Sequence, residues 1–181
     1  MQNDCLTVSV RVNRALREYL VCANGGSDIL HLDWKSPLWI AVKSRLRTSP
    51  RDYKPVAASG SPDIVRIELP TTSGGKKLYN DDRNTEIHNN FLFRNWLDEQ
   101  GQRVVEELLA KRFKKTFRDF LTGAFAVSPD TPIKDAIYTF CECYHITMEH
   151  VTFEMLRKDW YRYKHRSARG EPDAVVKCEI S

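Results

Sequence analysis

The chain has 181 residues, 41% of them hydrophobic, which suits one domain or two small ones with a real core. Its 28 Lys and Arg against 24 Asp and Glu leave a net charge of +4, permitting a polyanionic partner without demanding one. Apolar runs fall far short of the roughly 20 residues that cross a bilayer, and MQNDCLTVSV lacks a basic start and apolar run, so a cytoplasmic protein with no signal peptide and no membrane partner is expected.

Residues 6–12, LTVSVRV, alternate. Leu6, Val8, Val10 and Val12 fall on one face and Thr7, Ser9 and Arg11 on the other, the pattern of a half-buried strand. Asn13 is placed to cap a helix running to about Cys22, with Leu16, Tyr19 and Leu20 as its apolar stripe and Asn24-Gly25-Gly26 as its stop. The string VSVRVNRALREYL resembles the opening of the ribbon-helix-helix DNA-binding proteins, but DILHLDW stands where that family's second helix would begin. Ser36-Pro37 pairs a capping hydroxyl with proline at the first helical position, predicting a helix to about Leu46 that buries Leu38, Trp39, Val42 and Leu46. Lys43, Arg45, Arg47, Arg51 and Lys54, against Asp52, form a secondary basic patch on its outer side and in the loop beyond. Residues 63–69 (DIVRIEL) alternate again, with Val65, Ile67 and Leu69 inward, and TTSGGKK reads as a solvated hairpin or a loop between units. It is not a phosphate-binding loop, because the first glycine would fall at Pro70 and no Ser or Thr follows the lysine.

From about 85 to 124 the pattern becomes helical. Ile87, Phe91, Trp96 and Leu97 mark a first amphipathic segment. Val104, Val105, Leu108, Leu109, Phe113, Phe117, Phe120, Leu121 and Ala124 mark a second, and Gly101 between them leaves one helix or two open. The opposite face carries Lys111, Arg112, Lys114, Lys115 and Arg118 and is expected to meet solvent. SPDTP at 128–132 ends this run, with Thr131 as the cap of the next helix and Pro132 at its first position. Ile133, Ala136, Ile137, Phe140, Cys141 and Tyr144 give that helix its apolar stripe. The chain turns at His145, Thr147 is placed as an N-cap, and helix resumes with Met148, Val151, Met155 and Leu156 facing in.

From Arg157 to Arg169 six cations (Arg157, Lys158, Arg162, Lys164, Arg166, Arg169) face one acid, Asp159, with Trp160, Tyr161 and Tyr163 between them. Cations neutralise phosphates while flat rings pack on sugars or bases, so this composition suits a polyanion-binding surface. Residues 133–166 resemble a helix-turn-helix DNA-binding domain: Phe140, the small Cys141, Tyr144, Ile146, Val151 and Met155 match its anchor spacing. The left-handed backbone that its turn requires falls on His145. The resemblance implies that Thr147, Glu149, His150, Thr152 and Phe153 approach base edges while Arg157, Lys158, Arg162, Lys164 and Arg166 reach phosphates. The competing expectation is a scaffold or interaction protein that docks a partner protein on Trp160, Tyr161 and Tyr163.

Cys141, Cys143 and His145 form a C-x-C-x-H string, yet on a helix Cys143 points away from the face shared by the other two, so no metal is expected. The five cysteines, scattered and odd in number, read as reduced thiols. G-x-S-x-G, H-E-x-x-H and G-x-G-x-x-G are missing, so no catalytic residue and no cofactor is expected. The sequence thus predicts a predominantly helical α+β protein: a small N-terminal strand-helix unit over 1–80, then a helical region over 81–181 ending in a helix-turn-helix-like hairpin, or both as one continuous domain. The function it predicts is non-enzymatic DNA binding, as a regulator or an accessory factor of replication or mobile DNA, in an oligomeric state it does not specify.

Overall fold

The computed structural model describes residues 7–33, 35–48, 61–69 and 96–171, with the backbone alone of 72–73 and 76–77. Within these the fold is α+β and predominantly helical. Leu6, Arg51, Asp52, Lys54, Ile87 and Phe91 lie outside the described residues.

Strand β1 (Thr7–Arg11) buries Val8 and Val10 and turns Arg11 to solvent, as its alternation dictates. Asn13 then caps α1 (Arg14–Ala23), its Oδ1 accepting from the Leu16 amide at 2.9 Å, and Gly25 and Gly26 leave the helix at positive φ. Strand β2 (Ile29–Leu30) leads to α2 (Pro37–Arg45), capped by Ser36 and burying Trp39 and Val42. Two-residue β3 (Leu46–Arg47) and β4 (Ile64–Glu68) follow. β4 is the central strand of the sheet, antiparallel to β1 and parallel to β2. Residues 72–73 (β5) and 76–77 (β6) pair antiparallel.

Strand β7 (Trp96–Leu97) pairs with β3, Leu97 opposite Leu46. This corrects the amphipathic helix expected to include Trp96 and Leu97. A short apolar run does not distinguish strand from helix, and the ladder to residues far back in the chain decides it. Asp98 then accepts from the Gly101 amide at 2.6 Å and starts α3 (Glu99–Val127), a single helix of 29 residues, roughly 43 Å long at 1.5 Å per residue. Gly101 is therefore neither a break nor a mid-helix weak point but part of the first turn.

α3 is the spine of the fold, packing against α1, α2, β1, β7 and the two helices that follow, α4 (Ile133–Cys143) and α5 (Phe153–Ala168). Val105, Leu109, Phe113, Phe117 and Leu121 form its buried stripe, and buried side chains from Val8 to Trp160 belong to one contiguous cluster. β1 is an edge strand, and Gln102 of α3 closes it. Its Nε2 donates to the Ser9 carbonyl at 2.9 Å and its Oε1 accepts from the Arg11 amide at 3.1 Å. One side-chain amide thus pairs with backbone groups that would otherwise offer a free edge.

Two helix starts differ from expectation. α4 begins at Ile133 with Pro132 as the cap residue, ψ 134°, and Thr131 one position farther out. α5 begins at Phe153, where the Thr152 hydroxyl accepts from the Met155 amide, and not at Thr147. The reason lies in the nine-residue connector. α4 ends in a Schellman turn: Ile146 N–H donates to the Cys141 carbonyl at 2.8 Å, His145 N–H to Glu142 at 3.1 Å, and His145 has φ 51°. Residues after it are drawn onto α1, as described below, before helix resumes. The later start rotates the apolar stripe: Leu156 and Trp160 are buried, and Met155, expected inward, is exposed.

Candidate nucleic-acid interface

The buried side of α5 is set by Leu156 and Trp160 at i, i+4 spacing, with Tyr163 one turn on. At about 100° per residue, Lys158, Arg162, His165 and Arg169 then fall within about 60° of one another on the side opposite the core. All four are exposed. Arg157 and Lys164 flank this strip on one side and Arg166 on the other, also exposed.

Asp159, the acid among these cations, does not face them. It turns to the spine, where its carboxylate accepts from Nε and Nη2 of Arg118, each at 2.9 Å. Arg118 is 6% exposed, which corrects its expected place on a solvated face: α5 covers that side of α3. Its guanidinium also lies 5.3 Å from the Tyr163 ring centroid. At the ends of the helix Glu154 pairs with Arg157 at 3.4 Å and Glu171 with Arg169 at 3.9 Å. Among the described residues no acid pairs with Lys158, Arg162, Lys164 or Arg166.

The residues expected to approach base edges occupy a different setting. Glu18 of α1 accepts from the Thr147 amide at 2.8 Å, from the Thr147 hydroxyl at 3.0 Å and from His150 Nδ1 at 2.9 Å. His150 Nε2 lies 3.3 Å from Arg14 Nη1. Thr147 and His150 therefore fasten the connector to α1, Thr152 caps α5, and Glu149 stays exposed. Phe153 packs partly against the core. Sequence reasoning missed Glu18 as their partner, because nothing local in REYL points at a residue so far along the chain.

The expected aromatic cluster is divided. Trp160 is 4% exposed, tilted against Phe125 and Tyr163 with centroids at 5.6 Å in both cases, whereas Tyr161 is 54% exposed. This corrects the docking surface proposed for all three rings, since only Tyr161 projects outward. In the secondary patch Lys43 and Arg47 are exposed and Arg45 half-buried, while Arg51 lies outside the described residues. Arg47 Nη1 donates to the carbonyls of Ser44 and Leu46, each at 3.2 Å, closing the end of α2.

A cleft of about 570 Å³ between residues 31–38 and α3 carries Lys111, Arg112 and Lys115, but also Asp33 and Asp119. Lys115 donates to Asp119 at 2.7 Å, so part of its charge is matched internally. Cys141 is buried, Cys143 is exposed and His145 lies beyond the helix end, so the C-x-C-x-H string does not share a face. Among the described residues no group of three or more His, Cys, Asp or Glu side chains is placed to hold a metal ion. Nor is any described helix long and apolar enough to cross a membrane. No protein-family model, curated protein or solved structure matches the chain.

Proposed function

We propose that the protein binds DNA, without enzymatic action, through the outward side of α5, and serves as a regulator or an accessory factor of replication or mobile DNA. One observation carries this reading: Asp159 is withdrawn to Arg118, leaving Lys158, Arg162, Lys164 and Arg166 as a run of cations that no acid pairs with among the described residues. A strip of this kind neutralises phosphates, and releasing their counterions makes binding salt-dependent. The helix-turn-helix resemblance supports the same end of the molecule, although Thr147, His150 and Thr152 already have hydrogen-bond partners and are left out of the proposed contact set.

The test is titration of a labelled random duplex at several salt concentrations. Engagement of about four phosphates predicts log affinity falling with log salt at a slope of roughly −3.6. Changing Lys158, Arg162 and Arg166 together to Ala should remove most of that slope while circular dichroism stays unchanged. Absence of binding at low salt to both this duplex and a single strand of equal length rejects the proposal. Unaltered binding by the triple variant moves the surface elsewhere, to Lys43 and Arg47 first.

A further inference from the structure

Beside its cationic strip α5 presents a second sector, built with α4. The Phe153 ring lies parallel to that of Tyr138 in α4, 10° apart in plane with centroids at 6.2 Å. Tyr138 is 39% exposed and Phe153 half-buried. Cations attend both rings: Lys134 Nζ lies 5.7 Å from the Tyr138 centroid and Arg157 Cζ 5.9 Å from that of Phe153. Tyr161, 54% exposed, falls about 80° around the helix from Phe153, between this ring pair and the strip. Phe117 and Phe140, by contrast, are almost wholly buried. Three rings interleaved with Lys134, Arg157 and Lys164 thus remain at the surface on one continuous edge.

We infer that this edge is a base-stacking platform and that the nucleic acid bound by α5 is single-stranded, an inference that rests on the nucleic-acid reading above. Bases inside a duplex are stacked on each other and offer only their edges in the grooves, so exposed rings find no partner there. A single strand offers π-faces to the rings while its phosphates follow the adjoining cations, and such binding tolerates any sequence. The connector reinforces the point. Residues 144–152 form turns tied to Glu18 and no helix that could enter a groove.

Polarisation titrations of the full chain with labelled oligothymidylate and with a random duplex of equal length separate the outcomes. The single strand should bind at least about tenfold more tightly, with a salt slope of roughly −3 for four phosphates. Tyr138→Ala and Tyr161→Ala should each weaken it about tenfold, the scale of one base–aromatic stack, and leave duplex affinity unchanged. Tyr138→Phe and Tyr161→Phe should keep full affinity, because the ring and not the hydroxyl is used. Equal affinity for both forms, or alanine variants indistinguishable from wild type, overturns the platform while leaving DNA binding standing. Polyglutamate competing as well as the single strand overturns it too, since charge alone would then suffice. Failure to bind either form removes the nucleic-acid reading itself.

Discussion

At the residue scale, Gly101 and Cys141 carry opposite kinds of constraint. Gly is ordinarily worth about 1 kcal/mol less than Ala in a helix, so Gly101→Ala should stabilise α3 on propensity alone. A Cβ there, however, would stand 3.0 Å from Asp98 Oδ1, 3.3 Å from Leu97 Cδ2 and 3.4 Å from Arg45 Cβ. Those atoms belong to the cap, the β7 ladder and α2, and none can retreat freely. We expect Gly101→Ala to lower stability by about 1 kcal/mol in urea unfolding, the sign of overpacking; a gain would reject the close fit. Burial, reinforced by the neighbouring Glu142, pushes the Cys141 thiol from an ordinary 9.0 up to about 11. Its neutral form is thus favoured in the fold. The stability this contributes is complete below pH 9 and is lost as pH rises from 9 towards 11, on the order of 2 kcal/mol. Burial raises Tyr144 as well, in the same alkaline direction. Unfolding free energies between pH 8 and 11 should fall less steeply in Cys141→Ala than in wild type; parallel curves would show that the thiol does not titrate this way.

At the element scale, the Arg118–Asp159 pair joins α3 to α5 and fixes which side of α5 meets solvent. Removing one partner leaves a desolvated charge, whereas replacing both with apolar groups of similar volume removes the problem altogether. Asp159→Leu should therefore cost about 3 kcal/mol, and the double variant Arg118→Met with Asp159→Leu should return close to wild-type stability. Additive losses in that double-mutant cycle would mean the pair is not coupled. The same scale marks how far the sequence could be read. Asn13 and Ser36 were identifiable as caps because each hydrogen bond spans three residues. The left-handed turn at His145 was identifiable from anchor spacing. Trp96 and Leu97 were misassigned because their strand exists only through pairing with Arg47 and Leu46. Of the residues expected inward Val151 and Leu156 are buried and Met155 is not, because the connector extends to Thr152, where Thr147 and His150 reach Glu18, and helix resumes only after it.

At the scale of the whole molecule, the two units expected over 1–80 and 81–181 contribute to a single buried cluster. Trp39 in α2 and Trp160 in α5, one from each expected unit, are both buried members of it. One core implies one cooperative transition. Tryptophan fluorescence and far-ultraviolet circular dichroism should give coincident urea curves; two separated midpoints would show units that melt independently.

What the sequence by itself determined is whatever depends on near neighbours: the alternation of β1 and β4, the apolar stripes of α1, α3 and α4, and the density of positive charge between Arg157 and Arg169. Tertiary structure alone decided the direction in which that charge is displayed. Asp159 lies 41 residues from Arg118, and Thr147 lies 129 from Glu18. Local periodicity records which residues share a face, but a face becomes buried or exposed only when distant parts of the chain compete for it.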